Sequence, residues 1–137
     1  MPNVLVATDA DSILHAVDAA LGGSHVVFRV LKGADVAAAV AEVDPLVVLL
    51  DLQIGNMGGI AACLDLRLEE RAGRLGPRKI LILLDREADI FLARRAEADG
   101  WLVKPLDAFR LRRAVTTVLD LGMYTEGLPA DAPAPLV

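Results

Sequence analysis

The stretch that decides the fold is 46-LVVLLD-51, an unbroken apolar run that ends on a carboxylate and is followed at once by the glycine-rich loop 55-GNMGG-59. A strand that is apolar on both faces is typical of the centre of a parallel sheet, because helices cover both faces there. Functional side chains in such sheets gather at the carboxyl ends of the strands. Asp51 is therefore predicted to stand at the functional edge of a parallel sheet.

Outward from this stretch, short apolar segments alternate with segments of helical period. The alternation predicts an α/β fold, a doubly wound five-stranded parallel sheet with helices on both faces. Asp11 and Ser12 are expected to cap the first helix, and Asp107 the last. The five strand segments are Val4–Ala7, Val26–Val30, Leu46–Leu50, Ile80–Leu84 and Trp101–Val103.

Length and composition limit the domain count to one. The chain has 137 residues, of which 55% are hydrophobic, enough to bury a substantial core. The helical period is lost after residue 121, and residues 122–137 contain three prolines. We therefore expect a single domain over residues 1–121 and a flexible C-terminal tail over residues 122–137.

Charge and cysteine usage narrow the classes of partner and compartment. The net charge of −5 argues against unaided binding to a nucleic-acid backbone, so a protein partner is expected instead. Cys63 is the single cysteine, which rules out an intramolecular disulfide. The apolar runs are shorter than the roughly 20 residues that a bilayer requires, and the basic start of a signal peptide is missing. We expect a cytoplasmic protein without a membrane partner.

Charged side chains follow several of the predicted strands. Asp9 follows the first strand, Asp51 the third, Asp85 the fourth and Lys104 the fifth. Facing carboxylates repel each other unless a hard cation such as Mg²⁺ lies between them. A lysine ammonium beside Asp51 would stabilise charge that develops on a phosphoryl group as the aspartate attacks. The residues therefore predict a magnesium site with Asp51 as a nucleophile.

Over roughly residues 3–121 the chain resembles the receiver domain of bacterial two-component response regulators. The resemblance rests on 4-VLVATD-9, 45-PLVVLLDL-52, 57-MGG-59 and 98-ADGWLVKP-105 together. It implies a flavodoxin-like (βα)5 fold with strand order 2-1-3-4-5. It also implies roles for individual residues: Asp51 as phosphoacceptor, Asp9 as a metal-binding acid, Gln53 as the donor of a metal-binding backbone carbonyl, Lys104 as the family's lysine, and Pro105 after a cis peptide bond.

The chain departs from the family pattern at positions that govern metal binding and switching. Thr8 stands where the family usually has the first of two adjacent acids. Leu84 stands where a Thr or Ser hydroxyl normally closes onto the phosphoryl group, and Asp85 replaces the small residue that follows. Trp101 lies three residues before Lys104, at the position of the family's aromatic switch residue. These departures identify the chain as an atypical receiver with weaker metal binding.

We expect a stand-alone, non-enzymatic signalling protein, because nothing after the fifth predicted helix is long enough to be an output domain. It would accept a phosphoryl group on Asp51 from a histidine kinase or phosphotransfer protein, with Mg²⁺, and signal through a downstream protein partner. A homodimer through the face from the fourth to the fifth helix is a further expectation. Two alternatives stay open. One is a phosphorylation-independent interaction module, suggested by Thr8 and Leu84. The other is a metal-dependent phosphatase or phosphotransferase, which is weakened because Gln53 occupies the position where a second acid would be needed.

Overall fold

The sheet of this protein consists of five parallel strands in the order β2-β1-β3-β4-β5. The structure is a computed structural model that describes residues 1–127. The predicted fold class and strand order are confirmed, and every predicted strand agrees with the structure to within one residue at each end. The elements are β1 (Asn3–Ala7), α1 (Asp11–Leu21), β2 (Val26–Val30), α2 (Val36–Val43), β3 (Val47–Asp51), α3 (Gly59–Arg71), β4 (Lys79–Leu84), α4 (Ile90–Arg95), β5 (Gly100–Val103) and α5 (Ala108–Leu121).

The core lies on both faces of the sheet, as the continuous apolar strands predict. All five residues of β3 are buried, and its side chains alternate between the two faces. Val48 and Leu50 pack toward α2, α3 and α4, whereas Val47 and Leu49 pack toward α1 and α5. This two-sided burial fixes the register of β3 and leaves its last residue, Asp51, at the carboxyl edge.

The helix starts agree only in part with the sequence. The Asp107 side chain accepts a hydrogen bond from the Arg110 N–H at 2.8 Å, so the predicted cap of α5 is confirmed. The predicted cap of α1 is wrong: α1 starts at Asp11, and its N-cap Ala10 makes no side-chain cap. Asp11 pairs instead with Arg29 of β2 at 2.8 Å. Its oxygen is therefore directed toward a neighbouring strand rather than toward the helix start.

The chain continues past α5 along β5. Gly122 ends the helix in the left-handed conformation, and Tyr124 forms a parallel bridge with Gly100. The first residues of the expected tail therefore pack against the domain, although their flexibility stays a prediction. Residues 128–137 of that expected tail lie outside the described residues. Within residues 1–127, no helix has the length and apolar character needed to cross a membrane.

Candidate functional site

The centre of the candidate site is the Asp51 carboxylate, of which only 2% is exposed. Its Oδ1 accepts hydrogen bonds from the Lys104 ammonium at 2.6 Å and from the Gln53 N–H at 3.1 Å. Its Oδ2 accepts from the Thr8 hydroxyl at 2.7 Å. A carboxylate can be buried at modest cost only when such donors replace its water, so these three contacts compensate for the burial of Asp51.

Lys104 connects two carboxylates. Its ammonium contacts Asp51 and lies 2.9 Å from Asp85 Oδ1. The Lys104 N–H donates to the Leu84 carbonyl at 2.8 Å, and the Lys104–Pro105 peptide bond is cis, so the end of β5 holds the lysine close to β4. Burial lowers the pKa of Lys104, but the hydrogen bonds to the two aspartates outweigh it and leave the pKa raised. The ammonium is therefore a fixed positive charge beside Asp51.

Asp85 belongs to the same network. Burial raises the pKa of its carboxyl, but hydrogen bonds from the side chains of Lys104 and Gln53 outweigh burial and leave the pKa lowered. The sequence predicted a negative charge here, and the structure adds that Lys104 is paired with this charge. Asp51 and Asp85 therefore share the same ammonium.

Asp9 does not contact this network. The side chain is exposed, and its Oδ2 accepts a hydrogen bond from the Gly55 N–H at 3.1 Å. It lies at the end of β1, which pairs with β3, but it is fastened to the loop after β3 rather than to Asp51. Within the part of the chain that the structure describes, no group of three or more Asp, Glu, His or Cys side chains is placed to hold a metal ion.

The loop that carries Gln53 is held against the strand by a close backbone contact. Gly59 opens α3 so near to the end of β3 that a Cβ atom there would lie 2.5 Å from the Asp51 carbonyl oxygen. Only glycine fits this approach without a shift of the backbone. The 57-MGG-59 segment therefore sets the distance between α3 and the candidate phosphoacceptor.

The two predicted switch residues are both buried. Leu84 is fully buried in the same apolar cluster as Trp101, which is 2% exposed, so no hydroxyl stands at the end of β4. The Trp101 indole N–H donates to the Glu126 carbonyl at 2.8 Å. Sequence reasoning missed Glu126, because this residue lies after the end of the last helical pattern, in a segment that contains prolines. It also missed the contact of Thr8 with Asp51, which no spacing announces.

Comparisons with known proteins agree with the fold. No protein-family model matches the chain. Protein PilH of Pseudomonas aeruginosa is 27% identical over 120 residues, covering 87% of this chain and 98% of PilH. The structure of chemotaxis response regulator CheY4 of Vibrio cholerae matches with a TM-score of 0.76 and 23% identity, over 86% of this chain and 98% of CheY4. A putative response regulator from Chloroflexus aurantiacus matches with a TM-score of 0.76 and 21% identity, over 86% of this chain and 97% of that one.

The structural likenesses show that the chain has the CheY-like fold, as the resemblance to receiver domains predicted. They support a response-regulator receiver role in general. The roles of individual site residues are not addressed by them and stay predictions.

Proposed function

We propose that this chain is an atypical response-regulator receiver that accepts a phosphoryl group on Asp51. The observation that carries the proposal is the pairing of a buried aspartate at the carboxyl end of the central strand with a lysine ammonium at 2.6 Å. The pairing places a nucleophile beside a fixed positive charge at the carboxyl edge of the sheet, where proteins with this kind of fold bind their ligands.

The chemistry follows from the positions of these two groups. A carboxylate oxygen of Asp51 would attack the phosphorus of a phosphohistidine or acyl phosphate, and the bond from phosphorus to the leaving group would break with its electron pair. Lys104 would lie beside the phosphoryl oxygens and stabilise their charge. Oδ1 of Asp51 accepts two hydrogen bonds and Oδ2 accepts one, so Oδ2 has the freer lone pair for the attack.

The donor set fits a weakly held Mg²⁺. Two carboxylates, those of Asp9 and Asp51, and the main-chain carbonyl of Gln53 are hard oxygen ligands of the kind Mg²⁺ prefers. Thr8 replaces a third acid with a neutral hydroxyl, which lowers the negative charge available to the ion. When bound, Mg²⁺ would supply charge neutralisation at the phosphoryl group.

A second candidate function is that of an interaction module that works without phosphorylation. Two observations favour it: Leu84 cannot donate to a phosphoryl oxygen, and Lys104 is already shared between Asp51 and Asp85. A hydrogen bond to a charged group contributes about 1.5–3 kcal/mol, so a missing hydroxyl would weaken the coupling between phosphorylation and shape roughly ten- to a hundredfold. The missing hydroxyl at Leu84 affects the conformational response to phosphorylation more than the phosphorylation of Asp51 itself. We therefore favour the receiver that is phosphorylated on Asp51.

An enzymatic role as a phosphatase or phosphotransferase has less support. Such a metal-dependent reaction needs a second acid close to the nucleophile, and the residue two positions after Asp51 is Gln53. We infer a non-enzymatic signalling role, with a histidine kinase or phosphotransfer protein as phosphodonor and a protein as downstream partner.

The test is the intact mass after incubation with Mg²⁺ and a small acyl phosphate. We expect a gain of one phosphoryl group in the wild type and in Asp85→Asn, and no gain in Asp51→Asn. Asp85→Asn is the matched control, because it neutralises a carboxylate of the same network without touching the proposed acceptor. No adduct on the wild type, at donor concentrations that label an ordinary receiver, would overturn the proposal in favour of the interaction module.

A further inference from the structure

The free edge of β5 is covered by residues 123–127, which we call the C-terminal strap. β5 is the last strand of the sheet, and the outward N–H groups of an edge strand need partners. The Trp101 N–H donates to the Tyr124 carbonyl at 3.1 Å, and the Tyr124 N–H donates to the Asp99 carbonyl at 3.1 Å. The strap is thus a short parallel addition to the sheet that rests on a single bridge.

Two glycines allow the strap to approach the sheet and α4. A Cβ atom on Gly100 would collide with the Tyr124 carbonyl oxygen, so a larger residue would push the strap away. At the other end, Gly127 has a φ of 81°, and a Cβ atom there would lie 2.7 Å from Ile90 Cδ1. The strap therefore runs from the edge of β5 to α4.

One carboxylate fastens the strap. The Glu126 side chain accepts hydrogen bonds from the Val103 N–H at 3.0 Å, from the Arg110 Nε at 3.0 Å and from the Tyr124 hydroxyl at 2.6 Å. Arg110 also contacts it through Nη2. This paired arrangement of guanidinium and carboxylate is the strongest kind of hydrogen-bonded contact a side chain can offer.

The receptor for this carboxylate is held by contacts outside the strap. Arg110 Nη2 donates to the Val103 carbonyl at 2.8 Å, and its Nη1 donates to the Pro105 carbonyl at 2.6 Å. These two bonds hold the guanidinium from the side of the domain, so its ordering depends only in part on Glu126. Trp101 contributes its indole N–H to a main-chain carbonyl, which any residue can supply.

We propose that the edge of β5, with Trp101, Val103 and Arg110, is a docking groove for an extended peptide segment that carries a carboxylate, and that the strap is its resident, releasable occupant. The partner segment would add to β5 as a parallel strand. It would place an acidic side chain two residues after the carbonyl that accepts from the Trp101 N–H, as Tyr124 and Glu126 do. α5 ends at Gly122 in the left-handed conformation, so the strap lies outside the helix. The groove does not depend on phosphorylation of Asp51.

The occupant is tested first in the full chain. Trp101 is the single tryptophan, so its fluorescence reports on the groove. We expect Glu126→Ala to increase acrylamide quenching of Trp101 and to speed hydrogen exchange of the Val103 amide, while the amides of β4 keep their protection. The matched control is Asp120→Ala, which removes an exposed carboxylate at the end of α5. Equal quenching and exchange in the two variants would overturn the role of Glu126 as the fastener.

The groove is then tested with a labelled peptide of residues 122–127, which is added to full-length protein. We expect Glu126→Ala to bind the peptide about tenfold more tightly than the wild type, whose own strap competes. A peptide with Gln in place of Glu should bind about tenfold more weakly, because it loses the charge on Arg110. Adding Arg110→Gln to the Glu126→Ala protein should abolish this preference, with circular dichroism to verify folding. Equal affinity for the Glu and Gln peptides, or no binding to the Glu126→Ala protein, would contradict the proposal.

Discussion

At the scale of single residues, the decisive feature is a buried carboxylate that accepts three hydrogen bonds. Asp51 receives hydrogen bonds from Thr8, Gln53 and Lys104. These bonds make its burial tolerable and hold the carboxylate in one orientation. The sequence predicted the pairing of Asp51 with Lys104, because both follow strands of one parallel sheet. It did not predict the Thr8 contact, because threonine is too common in sequences to indicate a functional site.

Leu84 contributes to stability through its packing in the core, whatever its effect on signalling. Its side chain is fully buried, so we expect Leu84→Ala to lower the free energy of unfolding by about 2–5 kcal/mol through lost burial and a residual cavity. Urea unfolding measures this. The control Leu68→Ala removes the same atoms from a side chain that is 58% exposed and should change stability by about 0.5 kcal/mol or less. Similar losses in both variants would contradict the burial of Leu84.

At the scale of elements, the sequence predicted more than it did at the site. The strands are correct to within one residue, because parallel strands buried on both faces read as continuous apolar runs. The start of α1 is wrong, because Asp11 finds Arg29 on another element, and a contact between elements is invisible to local patterns. The hydrogen bond of Asp9 with the Gly55 N–H is another contact of this kind, and the role of Asp9 as a metal-binding acid stays a prediction.

The joint between β3 and α3 yields a prediction about glycine. We expect Gly59→Ala to lower the free energy of unfolding by about 1–3 kcal/mol, because the new Cβ meets the Asp51 backbone. It should also slow phosphorylation of Asp51 by shifting the end of β3. Gly23→Ala is the matched control, since nothing lies within 4 Å of a Cβ there. Stability measured by urea unfolding should separate the two variants, and an unchanged Gly59→Ala protein would refute the close approach.

The C-terminal strap should open in acid. Burial raises the pKa of Glu126, but hydrogen bonds from Arg110, Tyr124 and the Val103 N–H outweigh it, so the pKa is lowered. The groups that face it are cationic Arg110, whose other neighbour is Asp107, and the Tyr124 phenol, whose pKa is raised to about 12 mainly by burial. A lowered pKa stabilises the closed strap above the unfolded value of about 4.3, and this stability is lost as pH falls through the folded value.

Trp101 quenching should therefore stay constant from neutral pH down to about 4.3 and rise below it. Far-UV circular dichroism, recorded on the same samples, separates strap opening from unfolding of the domain. In Glu126→Gln the quenching should already be high at neutral pH and show no step of its own. A wild-type step that persists unchanged in this variant would assign the transition to another group.

At the scale of the whole molecule, the sheet separates two functions onto different surfaces. Asp51 and Lys104 stand at the carboxyl edge, whereas the strap and its groove lie along β5 at the side of the sheet. Trp101 lies between them, with its ring in the core cluster of Leu84 and its indole N–H on the strap. Leu84 at the end of β4 and the groove are therefore connected through one packed cluster. Leu84 has no hydroxyl that could bind a phosphoryl group and so transmit phosphorylation into this cluster.

The homodimer through α4, β5 and α5 stays a prediction. Arg113 is exposed on α5, so we expect Arg113→Glu to reduce any dimer that forms through this face. Sedimentation velocity over a range of protein concentrations measures this. The control Arg74→Glu changes a 64% exposed arginine in the turn between α3 and β4 and should sediment like the wild type. A wild type that is monomeric at every concentration would remove the dimer from the account.

The most direct test of the central claim is to locate the phosphoryl group. After incubation with an acyl phosphate and Mg²⁺, reduction with borohydride converts an aspartyl phosphate into homoserine, which peptide mass spectrometry assigns to one position. The account predicts homoserine at position 51 alone. Modification at Asp9 or Asp85 instead of Asp51, or at none of the three, would contradict it.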